Sequence, residues 1–578
     1  MKNTCKTSSL RCYDLIFAAV FAVMTAFLIW KAPYGYGSTD ESFYLTIPYR
    51  LMQGDSLLTE EWHVSQLSGL LLYPIMLLYR LFGGTSEGII VSFRYIYVTA
   101  QCVCALAVYL CFRRCGDKAR LGAICAVAVF MPYAPFYIMA LSYNTMGLMT
   151  LTMSAVILIT AEEKLWKYAL SGLLFAGGVL CCPYNIIIYL IYSVIVAATA
   201  TYKRKNGEDE TAKKLIKKWL AFTLGAALLA LYFAALVVAR ADLSQLGRAF
   251  NGIMSDPQHE PMTFYAKLRQ YYNAMIKKLL PTVVGIAGVA IVFLVRCIDK
   301  QWKEHRWLFL IGAALYTIAF ALYLDRFVSY INYINAALSF LGLCAYILSE
   351  NRNKKVFLFW YIPGVIYSFL IHLGSNNGGF CITSALNVTS AASAYLIGNT
   401  AHEMWKNKKC ADCIAAIAVM LGVLAVCAVA VKEQATTSYS GFNGRMTDNR
   451  NYLYSKVEVG PSKGLKMAED EHYDYIVRYT DTESVRSGDG KKVVYYVHRP
   501  WLYLADEKKN AAFSAWMSIN TSDSAIERLL DYWDINPEKE PDIIYIDKNA
   551  VSAERASVDL NVAKYTLTET DTAYLLTK

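Results

Sequence analysis

Between residues 13 and 431 long apolar runs alternate with short polar connections, and crossing a hydrocarbon core takes about 20 helical residues. By that criterion about thirteen spans are predicted. The first seven are Tyr13–Trp30, Val91–Phe112, Leu121–Ile138, Met146–Thr160, Ala169–Cys181, Pro183–Thr199 and Trp219–Val238. The other six are Pro281–Val295, Trp307–Leu324, Ile334–Leu348, Val356–Leu373, Thr383–Ile397 and Ala411–Val431. The pair flanking Cys181, Cys182 and Pro183 is the shortest and fits two half-depth helices, since a proline break at membrane depth needs protein around it. Two amphipathic stretches, Ser42–Gln53 and Leu67–Phe82, are too short and too polar at their edges to span, and are predicted to lie in the interface plane. From Gly441 the pattern changes. Short β-rich runs, Tyr475–Val477, Val493–Val497 and Ile543–Ile546, together with a helical stretch at Ala525–Trp533, predict a small α/β domain with a largely parallel sheet.

With 56% hydrophobic and 18% charged residues over 578, the chain is neither disordered nor a purely soluble enzyme. Its net charge of +10 is uneven: residues 1–431 carry 37 Lys and Arg against 22 Asp and Glu, and residues 432–578 carry 19 against 24. The basic half is also the apolar half, so the cations mark helix ends and not a nucleic-acid footprint. Every second connection is basic, Arg113–Arg120, Lys203–Lys218, Arg296–Arg306, Arg352–Lys355 and Lys406–Lys409, except Glu162–Lys167, which is neutral and decides nothing. That asymmetry predicts a multi-pass protein of the plasma membrane with a cytoplasmic N-terminus. Residues 1–431 then form the membrane domain, with long external loops at 31–90 and 241–280, and residues 432–578 lie outside. All fifteen cysteines occur at or before Cys427, so the tail must rely on its own core. No cysteine and histidine spacing suits a zinc site, and Gly460–Gly464 lacks the spacing of a phosphate loop and is predicted to be a turn.

The informative polar feature is Gly37-Ser38-Thr39-Asp40-Glu41, an acidic pair just beyond the outer end of the first span. Acids near hydrocarbon are costly without a partner or a pathway. One reading is a helix cap in which Ser38 or Thr39 caps and the acids favour the positive helix end. The other is catalysis. A first span, an acidic pair at its outer end, interfacial helices in the first external loop, about a dozen spans and an external α/β tail together resemble the GT-C superfamily of membrane glycosyltransferases.

The resemblance implies a mainly α, polytopic helix bundle of GT-C type with a C-terminal extracytoplasmic α/β domain. It implies a polyprenyl-phosphate sugar donor and a glycan, lipid or protein acceptor in the cell envelope, with the lipid bilayer as the surrounding partner and no nucleic acid. In such a transfer an acceptor hydroxyl attacks the anomeric carbon while polyprenyl phosphate leaves, so a base and cations are needed. Asp40 is the expected base, and Glu41 is either its electrostatic neighbour or a capping acid. Arg94 and Arg326 sit at the depth of the leaving phosphate; the alternatives are snorkelling for Arg94 and a local pair with Asp325 for Arg326. Asp256, His259 and Glu260 have metal-ligand residue types without closed ligand spacing, and read as a turn, an acceptor contact or an occasional Mg²⁺ site. His372 and Asn376, with Asn377, close the outer end of a span and are candidates for sugar hydroxyls. The Met131–Tyr143 loop departs from the pattern of several GT-C members by lacking an acid, so no cofactor is firmly implied and a divalent cation such as Mg²⁺ stays open. The competing class is a transporter or flippase of a lipid-linked saccharide, which would favour charges at mid-membrane, whereas these charges gather at the rim.

Overall fold

The computed structural model describes residues 2–37, 39–255, 262–277, 280–327, 333–375, 378–440, 445–448, 453–517, 522–561 and 564–578. The chain is mainly helical, with a small strand region near its C-terminus. Its helices begin with α1 (Lys2–Lys31), α2 (Asp40–Met52), α3 (Gly69–Leu81), α4 (Ile89–Arg113), α5 (Asp117–Phe130) and α6 (Tyr143–Ile159). They continue through α7 (Leu165–Cys181), α8 (Ile186–Lys205), α9 (Asp209–Arg240), α10 (Leu246–Met254), α11 (Phe264–Tyr272) and α12 (Leu280–Ile298). The series ends with α13 (Trp302–Phe327), α14 (Ile334–Leu348), α15 (Lys354–Leu373), α16 (Gly379–Ala385), α17 (Asn387–Lys406) and α18 (Cys410–Thr436).

Eight helical segments among the described residues are long and apolar enough to cross a membrane: those containing α1, α4, α8, α9, α12, α13, α15 and α18. The α6, α7 and α14 helices are apolar but shorter. The remaining two predicted spans fall on α5 and α17, which form the middle of the bundle. Buried residues fill nearly all of both helices. Gly398 packs against Gly122, and a Cβ on Gly122 would stand 2.8 Å from the carbonyl oxygen of Tyr395, so small residues let the two backbones approach.

The predicted span Leu121–Ile138 is corrected at its outer half, because α5 stops at Phe130. Gln101 Nε2 donates to the freed Phe130 carbonyl at 2.8 Å, and the chain turns through Pro135–Tyr137 instead of continuing as a helix. The break between α7 and α8 is also covered from within: Gly178 O accepts from Cys182 N at 3.0 Å and from Asn185 Nδ2 at 2.9 Å.

Helix ends sort by charge. At one end Arg306 meets Glu350, Glu403 and Asp412 at 2.9, 3.1 and 3.5 Å, and Arg113 meets Asp14 at 2.6 Å. At the other end Lys432 meets Asp325 at 2.6 Å and the Tyr137 hydroxyl donates to Glu433 at 3.0 Å.

The tail follows α18 directly. Its main sheet has five strands, β1 (Lys492–Tyr496), β2 (Lys509–Asn510), β3 (Ile543–Asp547), β4 (Thr566–Glu569) and β5 (Ala573–Thr577), in the order β2-β1-β3-β5-β4. The first three pair in parallel and the last two antiparallel, so the sheet is mixed, where the sequence predicts a largely parallel one. The predicted helix at Ala525–Trp533 lies within Ser522–Ile535. The predicted strand Tyr475–Val477 is instead part of a helix, Glu469–Asp481, whose first turn carries Glu469, Asp470 and Glu471 at its positive end.

The tail does not keep a separate core. Phe43, Ile47, Tyr49, Leu57 and Trp62 of the first loop share one buried cluster with Tyr495, Trp501, Phe513 and Tyr532. The turn at Gly460–Gly464 packs on the start of α4, where Gly88 N donates to Gly460 O at 3.0 Å and Lys463 pairs with Glu87 at 2.8 Å. Residues 31–90 and the tail therefore form one layer on that end of the bundle.

Candidate functional site

The acidic pair starts α2, and its two members have different surroundings. Thr39 precedes the helix without a side-chain cap, so both acids occupy the first turn, where the helix dipole favours negative charge. Glu41 is buried and faces Arg94 of α4. Arg94 Nε and Nη2 donate to the two Glu41 carboxylate oxygens at 2.6 Å each. The same guanidinium donates to the carbonyls of Ala32 at 2.8 Å and of Tyr34 and Gly35 at 3.1 Å. These are backbone acceptors just past the end of α1, so Arg94 ties the end of α1 to the beginning of α2. Gly37 leaves room for the carboxylate, since a Cβ there would lie 3.2 Å from Glu41 Cβ and Oε2.

This geometry corrects the expectation that Arg94 grips a departing phosphate. A guanidinium has five N–H groups, and all five are used within the protein. It also separates the roles of the two acids: Glu41 is the locked neighbour.

Asp40 has no hydrogen-bond or ion-pair partner among the described residues and keeps a partial opening to solvent. Its surroundings are otherwise dense enough that burial pushes its carboxyl up to about 6. Desolvation is the dominant cause, since no neighbouring cation opposes it. Its electrostatic neighbour across the helix start is Tyr143, the first residue of α6. That helix is fixed by a reciprocal cap, with Thr145 N donating to Ser142 Oγ at 3.3 Å and Ser142 N to Thr145 Oγ1 at 2.9 Å. In the loop leading to it Phe136 and Tyr137 both have left-handed φ values, 56° and 61°, which is strained backbone for aromatic residues.

Cys381 of α16 is an electrostatic neighbour of both Tyr143 and Lys267 of α11. Lys267 donates to Ser375 O at 2.5 Å, and burial pushes its ammonium down from the ordinary lysine range. His372 is fully buried, with Nε2 3.0 Å from the Lys267 carbonyl and Nδ1 without a partner. His372 therefore anchors α11, where the sequence offers it as a candidate for sugar hydroxyls. Asp40, Tyr143, Cys381 and Lys267 form a chain of neighbours at one end of the bundle. Tyr143, Cys381 and Lys267 are the members that sequence reasoning did not single out. Polar side chains follow inside the same end: Asn335 Nδ2 donates to Thr383 O at 3.0 Å, Asn387 Nδ2 to Asn335 Oδ1 at 3.2 Å, and Asn144 Oδ1 has no partner.

Asp256, His259, Glu260 and Asn376 lie outside the described residues. Arg326 belongs to α13, but its side chain is likewise outside them; the adjacent Asp325 is held by Lys432. Among the described residues no three His, Cys, Asp or Glu side chains converge on one point. Compared with known proteins, the chain matches no family model and no curated protein.

Proposed function

We propose that the protein is a membrane glycosyltransferase of GT-C type, which moves a sugar from a polyprenyl-phosphate donor to a cell-envelope acceptor on the outer face. In this reading all thirteen predicted helices cross the membrane, the N-terminus is cytoplasmic, and the layer made by residues 31–90 and the tail lies outside. The observation that carries it is the unpartnered Asp40 carboxylate, raised to about 6 by burial and set beside a Glu41 already neutralised by Arg94. A base is most effective when its pKa lies near the working pH, and Asp40 meets that condition.

Asp40 takes the proton from the acceptor hydroxyl as its oxygen bonds to the anomeric carbon, while the bond from that carbon to the phosphate oxygen breaks and polyprenyl phosphate departs. Lys267 and Arg326 are the cations assigned to the leaving phosphate; Arg94 holds the frame. The buried layer of Asn144, Asn335 and Asn387 supplies amides suited to sugar hydroxyls.

The test is transfer from a panel of radiolabelled polyprenyl-phosphate sugars by the purified full chain, comparing the parent with Asp40→Asn. Transfer by the parent and its loss in the variant support the reading. Equal transfer by both removes Asp40 as base. Inactivity on every donor, with movement of lipid-linked saccharide across proteoliposomes, replaces the enzyme by a transporter.

A further inference from the structure

Away from Asp40, at the end of the bundle that carries Arg306 and Lys118, two cavities share walls. One, of about 540 Å³, is apolar and lies between α6, α8, α9 and α15. It is open along the flank of the bundle, where Ile191, Ile195 and Leu358 combine cavity lining with outer-surface exposure. The second, of about 490 Å³, has a more polar lining than the first and is bordered by Lys118, Arg352, Lys354 and Lys355. Ile159 and Lys355 line both, so the two cavities adjoin.

The charges at the junction are not balanced. Lys118 is engaged by Glu403 at 3.3 Å and Lys218, at the mouth of the apolar cavity, by Glu163 at 2.7 Å. Lys354 and Lys355 are exposed and have no ion-pair partner among the described residues, and Glu162 is the one other acid lining either cavity. Arg352 Nη2 donates to Ile347 O at 2.9 Å, while its Nε is buried without a partner. Lys354 and Lys355 also begin α15, whose first turn is capped by Asn353 Oδ1 accepting from Val356 N at 3.2 Å, so the positive end of the helix adds to the same field.

A soluble anion would use only the polar half of this arrangement. An apolar cavity open to hydrocarbon is filled by an acyl chain, and a basic pocket between membrane helices at the membrane surface recruits anionic headgroups. We propose that the paired cavities hold one anionic glycerophospholipid, its phosphate among Arg352, Lys354 and Lys355 and one acyl chain between α6, α8 and α15. By the asymmetry of basic connections this is a lipid of the cytoplasmic leaflet. The site is remote from Asp40 and stands independently of the glycosyl-transfer reading.

The experiment uses the purified full chain in a neutral detergent, titrated with phosphatidylglycerol, phosphatidylcholine or inorganic phosphate and followed by native mass spectrometry and thermal unfolding. Phosphatidylglycerol is expected to remain bound and to raise the unfolding temperature, and the other two are expected not to. Replacing both exposed lysines, Lys354→Ala with Lys355→Ala, is expected to weaken phosphatidylglycerol roughly thirtyfold, about fivefold for each lysine near an anionic headgroup. Leu358→Trp, which fills the apolar cavity and leaves every cation in place, is expected to weaken it as well. Equal binding of phosphatidylcholine, an equal shift with inorganic phosphate, or undiminished binding by either variant would overturn the proposal.

Discussion

Arg94 and Glu41, 53 residues apart, meet in a two-pronged ion pair with both contacts at 2.6 Å, both side chains buried. The pair fixes where α2 begins, and Asp40 is the preceding residue. A rigid acid next to an unpartnered one is an arrangement in which the first positions the second. The guanidinium is essential to this, because an ammonium cannot bind two carboxylate oxygens and three carbonyls from one planar fork.

Breaking one side of this pair strands a buried charge, which costs about 3–5 kcal/mol. Arg94→Ala and Glu41→Ala are therefore each expected to lower the thermal unfolding temperature in detergent sharply, and Arg94→Lys to lower it in part. The double variant is expected to lose much less than the two single losses added together. A phosphate-binding Arg94 would behave differently, raising the donor KM while leaving stability unchanged.

Asp40 ties pH to both activity and stability. As the proposed base it would act when ionised, so kcat/KM for transfer is expected to rise through about pH 6, and Asp40→Asn to reduce kcat roughly 100- to 10,000-fold. The stability effect has the opposite sign. The folded carboxyl, at about 6 against an ordinary value of 3.8, holds its proton more tightly than the unfolded one, so stability falls as pH rises from about 4 to about 6 and stays lower above. Asp40→Asn is expected to stabilise the protein at pH 7 by up to about 3 kcal/mol and to change little at pH 4. Thermal scans at the two pH values check the difference.

Local patterns were readable where they were long and repeated. Twenty apolar residues in a row admit few readings, so α1, α4, α9 and α18 were visible in the sequence, as were α2 and α3 as helices. Helix ends were read less well: α5 ends at Phe130, just before Pro132, and Gln101, on another helix, takes up the freed carbonyl. Three apolar residues, Tyr475–Val477, fit a strand or a helix equally, and the acidic run before them decided for a helix. In the site, Arg94 was singled out but its partner was not, since a pairing across 53 residues leaves no local trace. His372 stood out as a polar residue at a span end, yet its partner is the backbone of Lys267, which any residue there would provide.

The α7 and α9 helices are joined through two glycines. A Cβ on Gly172 would stand 1.8 Å from Phe222 O, and one on Gly225 1.7 Å from Ala169 O. Neither backbone oxygen can move without separating the helices, so Gly172→Ala and Gly225→Ala are each expected to cost at least the ~1–3 kcal/mol of ordinary overpacking. Gly247→Ala, with nothing within 4 Å of its Cβ, is the control and is expected to leave the unfolding temperature unchanged.

The tail reaches the site through charge as well as through shared apolar contacts. Lys539 pairs with Asp55 at 2.6 Å and with Glu60 at 2.8 Å, while Arg50 of α2 pairs with the same Asp55 at 2.7 Å and with Glu61 at 2.8 Å. Burial works against the Asp55 carboxylate, but Arg50 and Lys539 outweigh it and hold its pKa below the ordinary carboxylate range. Its contribution to stability is therefore present above the unfolded pKa, near 4, and is lost as pH falls below that value. Lys539→Met removes one cation from a buried cluster rich in carboxylates and is expected to destabilise the layer by about 3–5 kcal/mol, shown by faster limited proteolysis of the tail. Lys548→Ala, which breaks the more exposed pair with Glu569 and the cation–π contact with Tyr574, is expected to leave proteolysis of the tail little changed. Because Arg50 lies on the helix that begins with Asp40, sugar transfer should fall with Lys539→Met and hold with Lys548→Ala. Unchanged transfer in a Lys539→Met protein with a loosened tail would mean that α2 keeps its place through Arg94 and Glu41 alone.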